Sequence, residues 1–311
     1  MRFFAAALLL AATARDVAVI KSARPNFATI SSDGALIAVA TDDALRVYRT
    51  ADGSVVREWS AAAKPSSFAF FPRGDRLALG YPDGRLSVVK IADGAETQST
   101  KASAQIDGII VADDGKRLAF ATTLTAGGRP YLWTLGSAAP VPLPGPEFGV
   151  VEGAAFSPDG KLIAVCADDT TITIADTADA HVVKRIDSLE MAAFAVAFSR
   201  DGKRLYAGGA ARELIVFDTA TWREIAKFPA EAHLITQLDV SPDGKRLAAG
   251  ERPPEGGDAP GTFVVWDVSA AAPRELLRQR NSLGATGRFA ASGDFVYATS
   301  SDDGLHFVRS H

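Results

Sequence analysis

The chain has 311 residues, 47% of them hydrophobic and 23% charged, and carries a formal net charge of −4. That composition supplies an apolar core and a solvated surface, and offers no electrostatic attraction to nucleic acid or anionic lipid. Its single cysteine, Cys166, excludes an intrachain disulfide, a Cys-x-x-Cys pair and covalent haem attachment.

At the front, Arg2 precedes an apolar stretch from Phe3 to Ala12, and Ala12-Thr13-Ala14 has a small-x-small cleavage pattern. This reads as a short secretory signal peptide over 1–14, too brief to cross a bilayer as a helix. The expectation is one folded domain over 15–311, periplasmic or secreted, monomeric and not inserted in a membrane after processing. A cytoplasmic protein with an apolar N-terminus is the alternative.

From there a polar turn recurs, centred on Gly34, Gly74, Gly115, Gly160, Gly202, Gly244 and Gly293, at spacings of 40, 41, 45, 42, 42 and 49 residues. Three residues after each glycine stand Ile37, Leu77, Leu118, Ile163, Leu205, Leu247 and Val296. Two further on, Val39, Leu79, Phe120, Val165, Ala207, Ala249 and Ala298 repeat the apolar choice, a period of two that marks a strand. The residue between is mostly alanine or tyrosine, so the strand is apolar on both faces, as a sheet packed between two neighbours requires. Cys166 lies in such a run and reads as a small buried hydrophobe. The fourth copy divides into strands at about 151–156, 161–166, 171–175 and 181–186. Seven copies of four-strand length predict an all-β, seven-bladed β-propeller.

The runs Phe156-Ser157-Pro158-Asp159-Gly160 and Val240-Ser241-Pro242-Asp243-Gly244, with the strand endings Val216-Phe217-Asp218 and Val265-Trp266-Asp267, resemble those of WD-repeat propellers and of bacterial propellers with looser signatures. The resemblance covers the chain after the leader and implies a protein- or peptide-binding scaffold. The Gly-His pair that opens many family repeats is missing, which implies that the buried Asp-His-Ser-Trp network of eukaryotic relatives is absent.

The seventh copy supplies strands at about 288–291, 295–300 and 305–309 and then runs out of chain. Residues 16–21 precede the first copy without a partner, and are expected to complete the last blade and close the ring. In a propeller the a–b and c–d turns share one face, and the b–c and d–a connections share the other. The longest connections fall on the second face: 122–130 and 140–148 around the third copy, and 251–261 in the sixth. Loops on a rigid repeat scaffold carry specificity, so Arg129, Tyr131, Phe148, Arg252, Glu255 and Asp258 are the candidate binding residues.

No catalytic constellation is expected. His181, His233, His306 and His311 lack metal-ligand spacing, and there is no Gly-x-Ser-x-Gly elbow or phosphate-cradling glycine loop. The pairs Asp42-Asp43, Asp168-Asp169 and Asp302-Asp303 recur by copy, which suits turn formation better than a catalytic dyad. The chain reads as a non-catalytic scaffold of the cell envelope with no cofactor and no metal. A propeller enzyme of lactonase or dehydrogenase-subunit type, with its site over the central channel, stays open as the alternative.

Overall fold

The computed structural model describes residues 15–20, 27–60, 64–123, 128–146, 150–187, 189–211, 213–229, 234–252, 261–270, 273–281, 286–301 and 304–310. Strand β1 (Arg15–Ile20) comes first. A first sheet follows from β2 (Phe27–Ile30), β3 (Leu36–Ala40), β4 (Ala44–Arg49) and β5 (Val55–Ser60), and a second from β6 (Ser67–Phe70), β7 (Arg76–Gly80), β8 (Arg85–Lys90) and β9 (Glu96–Lys101). The third holds β10 (Ile106–Val111), β11 (Arg117–Thr122), β12 (Pro130–Thr134) and β13 (Val141–Pro142). The fourth holds β14 (Val151–Phe156), β15 (Leu162–Ala167), β16 (Ile172–Asp176) and β17 (Val182–Ile186). The fifth holds β18 (Ala193–Phe198), β19 (Arg204–Gly209), β20 (Glu213–Asp218) and β21 (Arg223–Pro229). The sixth holds β22 (Leu234–Val240), β23 (Arg246–Arg252), β24 (Gly261–Asp267) and β25 (Arg274–Asn281).

Each of these six sheets is a run of consecutive strands. The last three strands, β26 (Thr286–Phe289), β27 (Phe295–Ser301) and β28 (Gly304–Ser310), share a composite four-stranded sheet with β1, in the order β1-β28-β27-β26. There β1 runs antiparallel to β28, with Arg15 opposite Arg309 and Ile20 opposite Leu305. Of the seven blades expected, six are spelled consecutively, and one further four-stranded sheet draws on distant parts of the chain. Among the described residues no helix is long and apolar enough to cross a membrane.

The turn chemistry explains the period. In the fourth sheet Ser157 Oγ donates to Asp159 Oδ1 at 2.7 Å and accepts the Leu162 N–H at 2.9 Å, while Asp159 Oδ1 also accepts the Lys161 N–H at 3.0 Å. Ser31 with Asp33, Ser199 with Asp201 and Ser241 with Asp243 repeat the serine-to-aspartate bond. The turn glycine sits at positive φ, 68° at Gly160 and 71° at Gly202, where a side chain costs roughly 1–2 kcal/mol. Serine, aspartate and glycine at fixed offsets thus bend the backbone the same way in these four copies, and the glycine keeps its positive φ in all seven.

Burial follows position in the sheet. The second strands, such as β3, β7 and β15, are buried at every residue after the first, whereas the outer strands β9 and β17 are largely exposed. The core consists of clusters between sheets. Cys166, Ile172 and Ile174 of the fourth sheet meet Phe198, Leu205 and Phe217 of the fifth. Ala248 and Phe263 of the sixth meet Phe289, Phe295 and Tyr297 of the composite sheet. Ala290 and Val296 of the composite sheet in turn meet Ile30, Ile37 and Tyr48 of the first.

Several boundaries differ from expectation, three of them with a visible cause. Residues 141–142, read as part of a connection, form the outer strand of the third sheet, because Leu143 buries its side chain and donates its N–H to the Pro130 carbonyl at 2.9 Å. Strand β23 continues through Arg252 because Glu251 is buried, which shortens the connection to 253–260. Strand β26 ends two residues before the expected 291, because the Ala290 N–H already bonds Asp294 O within the turn.

Candidate functional site

The first strand of each sheet faces its counterparts. Residues from β10, β14, β18, β22 and β26 line one polar cavity of about 190 Å³, together with Asp113, Arg200, Asp239 and Arg288. Arg200 pairs with Asp113 at 3.1 Å and donates to Val240 O at 3.0 Å, tying the third, fifth and sixth sheets together at the turn-bearing end. Arg288 donates to Ile30 O at 3.3 Å, and its Nε is buried without a hydrogen-bond partner. Asp239 accepts the Phe289 N–H at 2.5 Å. Burial pushes its pKa up, against the opposing attraction of Arg288.

A larger cleft, of about 410 Å³, opens between the third and fourth sheets at the end bearing the b–c and d–a connections, with Ser67 and Phe68 of the second sheet also lining it. Its wall includes Ile109, Ile110, Phe120, Leu143, Val151 and Val165, and its ionisable groups are Asp107 and Glu152. The volume falls within the roughly 300–1,000 Å³ of ligand pockets. Asp107 accepts from Gln105 Nε2 at 2.7 Å. Glu152 has its pKa raised by loss of water around it and then by the negative charge of Asp168.

Both acids occupy β-bulges. The ladder between β10 and β11 skips Asp107, and that between β14 and β15 skips Glu152. A bulge leaves one residue unpaired and re-aims its side chain. Asp107, Glu152, Phe194 and Thr236 each stand eight residues before their turn glycine, and the ladders of the fifth and sixth sheets skip Phe194 and Thr236 in the same way. The acids were not among the sequence candidates. Aligning the copies on the glycine, and reading the column of changing residues, is the signal that finds them.

The expected site residues divide. Arg129 is exposed beside Pro130, which lines the cleft. Tyr131 belongs to β12, and its ring stacks on Phe120 at 5.3 Å, so it backs the cleft wall. Arg252 is exposed at the end of β23 in the sixth sheet, and nothing brings it to the cleft. Phe148, Glu255 and Asp258 lie outside the described residues, as do His233, His311 and the leader 1–14.

The acidic pairs serve their turns. Asp168 accepts the Val150 N–H at 2.6 Å, and Asp169 accepts the Thr171 N–H at 3.1 Å. The Arg46 guanidinium and the Thr41 hydroxyl bond Asp43 and hold its pKa at about 2. Asp302-Asp303 falls outside the described residues. The structure does gather one set of ligating groups that spacing did not suggest, Asp176, Asp179 and His181, at the hairpin before β17. There Asp179 already bonds the backbone N–H and Nδ1 of His181, raising the imidazole pKa, and Asp176 bonds the Ala178 N–H.

The profile of the WD domain, G-beta repeat, matches residues 141–176, which span β13 and the first three strands of the fourth sheet. A chain from the crystal structure of the mitotic checkpoint complex superposes with a TM-score of 0.75 at 18% identity, covering 96% of this chain and 91% of that one. The β-propeller domain of Myceliophteria thermophila Cps50 (Swd1) superposes with a TM-score of 0.72 at 13% identity, over 94% and 99% of the two chains. No match is found among curated proteins. Repeat, turn chemistry and superposition agree that the chain is an all-β propeller, and residues 141–176 match the WD domain, G-beta repeat.

Proposed function

We propose that this chain is a non-catalytic scaffold that binds a protein or peptide through the face bearing the b–c and d–a connections. The cleft of about 410 Å³ on that face carries the reading. Its wall is mainly aliphatic and aromatic, the chemistry of recognition pockets on rigid scaffolds, and Arg129 is exposed on its rim. Propellers of the WD kind typically present such faces to other proteins.

The finer reading is of a bacterial-type propeller whose composite sheet acts as the seventh blade and closes the ring through β1. It is exported to the cell envelope by its leader and acts as a soluble monomer. The pairing of β1 with β28 and the packing of the composite sheet on both neighbours support the ring. The leader sequence supports export.

Site-specific photo-crosslinking tests the binding face. A photoreactive residue at Arg129 or Arg252 should yield a discrete adduct in cells, whereas one at Asp93, on a c–d turn of the opposite face, should not. Equal adducts from both faces, or none from Arg129, would discard the assignment. Fractionation of the same cells tests export: full-length chain retained in the cytoplasm would remove the envelope location.

A further inference from the structure

We propose that the cleft between the third and fourth sheets takes a peptide segment with an aliphatic or aromatic side chain next to a lysine or arginine. This rests on the binding role above and specifies its ligand. The cavity supplies the first half of the recognition. Ile109, Ile110, Val151 and Ala154 are each only partly buried, so apolar wall remains uncovered within the cleft, backed by buried Phe120 and Leu143. Covering such surface is favourable by about 25 cal/mol per Å². At about 410 Å³ the space suits one large side chain with its flanking backbone and is too small for a folded element.

Charge supplies the second half. Among the described residues no lysine, arginine or histidine lines the cleft, while Asp107 and Glu152 do. Both sit at equivalent bulge positions of adjacent sheets, where the fifth and sixth sheets carry Phe194 and Thr236 and the second carries Ser66. The bulge is common to four of these sheets, and the carboxylates occur in two of the three sheets that line the cavity. Glu152 is exposed and makes no hydrogen bond or ion pair among the described residues, and partial loss of water with the nearby charge of Asp168 raises its pKa. A cation beside an apolar anchor would relieve that, whereas an anion would meet repulsion from Asp107, Glu152 and the nearby Asp168. Among the described residues lining the cleft the charged groups are acidic, and Arg129 on the rim is the nearest cation in sequence to the lining.

Fluorescence anisotropy on the full chain decides the matter, with labelled Gly-Ser-Leu-Lys-Ser-Gly and its Glu-for-Lys counterpart as probes. The lysine peptide should bind about tenfold more tightly than the glutamate peptide, and an Asp107→Asn, Glu152→Gln double variant, nearly isosteric with the native pair, should abolish the preference. Gly108 lines the cleft, and an added Cβ there meets nothing within 4 Å, so Gly108→Trp should fill the space and remove binding of both peptides. Equal affinity for the two peptides, binding of neither, or full binding by a folded Gly108→Trp protein would overturn the proposal. If that variant fails to fold, the double variant alone decides. Adducts at Arg129 without peptide discrimination would sink this ligand assignment and leave the scaffold reading standing.

Discussion

Cys166 shows how one side chain reports on the packing around it. It is fully buried between the fourth and fifth sheets, its Sγ 3.4 Å from Gly153 O, and burial pushes its pKa from 9.0 up to about 12. At pH 8 the native thiolate is therefore scarcer by roughly a thousandfold than in an exposed thiol. Since it is the only cysteine, labelling is a clean readout: a thiol reagent at pH 8 should leave the native protein unmodified and react at once in denaturant. Rapid native labelling would show that the fourth and fifth sheets part readily. The same shift has a sign for folding. Because the folded pKa is raised, this group's contribution is intact below pH 9 and declines as pH rises toward 12.

Among the elements, the junction between β22 and β26 depends on side chains reaching across to a neighbouring backbone. Asp239 accepts the Phe289 N–H and Gln237 Nε2 donates to Gly287 O, so alternate residues of one inner strand meet alternate residues of the next. Asp239→Ala strands the Phe289 N–H and should cost about 1–3 kcal/mol in chemical denaturation. Asp239→Asn keeps an acceptor and removes a charge that burial disfavours, so it should cost less. Equal losses would mean that attraction between Asp239 and Arg288 outweighs the hydrogen bond at this junction.

For the whole molecule, the strand farthest in sequence from its partners matters most. β1 pairs with β28, 258 residues separate Arg288 from its bonding partner Ile30, and the first and composite sheets share a buried cluster. Deleting residues 15–22 uncovers the β28 edge and removes the restraint on the composite sheet. The expected outcome is loss of the cooperative melting transition by circular dichroism. An unchanged transition would show that the remaining sheets hold together without β1.

Much of this architecture was legible in the sequence because its causes are local. Ser157, Asp159 and Gly160 bend the chain through bonds to residues within five positions, and alternating aliphatic residues mark strands buried on both faces whatever they pack against. Strand spacing and the burial of Cys166 follow from that. The candidate site was only partly legible: Arg129 and Tyr131 lie at the end of the third sheet where the cleft opens, whereas Asp107 and Glu152 looked like ordinary strand residues. A bulge changes where a side chain points only once a neighbouring strand fixes the register, and a cleft exists only where neighbouring sheets fail to fill the space between them. Turns and strands were set by the order of residues; the cavity, its acidic rim and the partner of β1 were decided by packing.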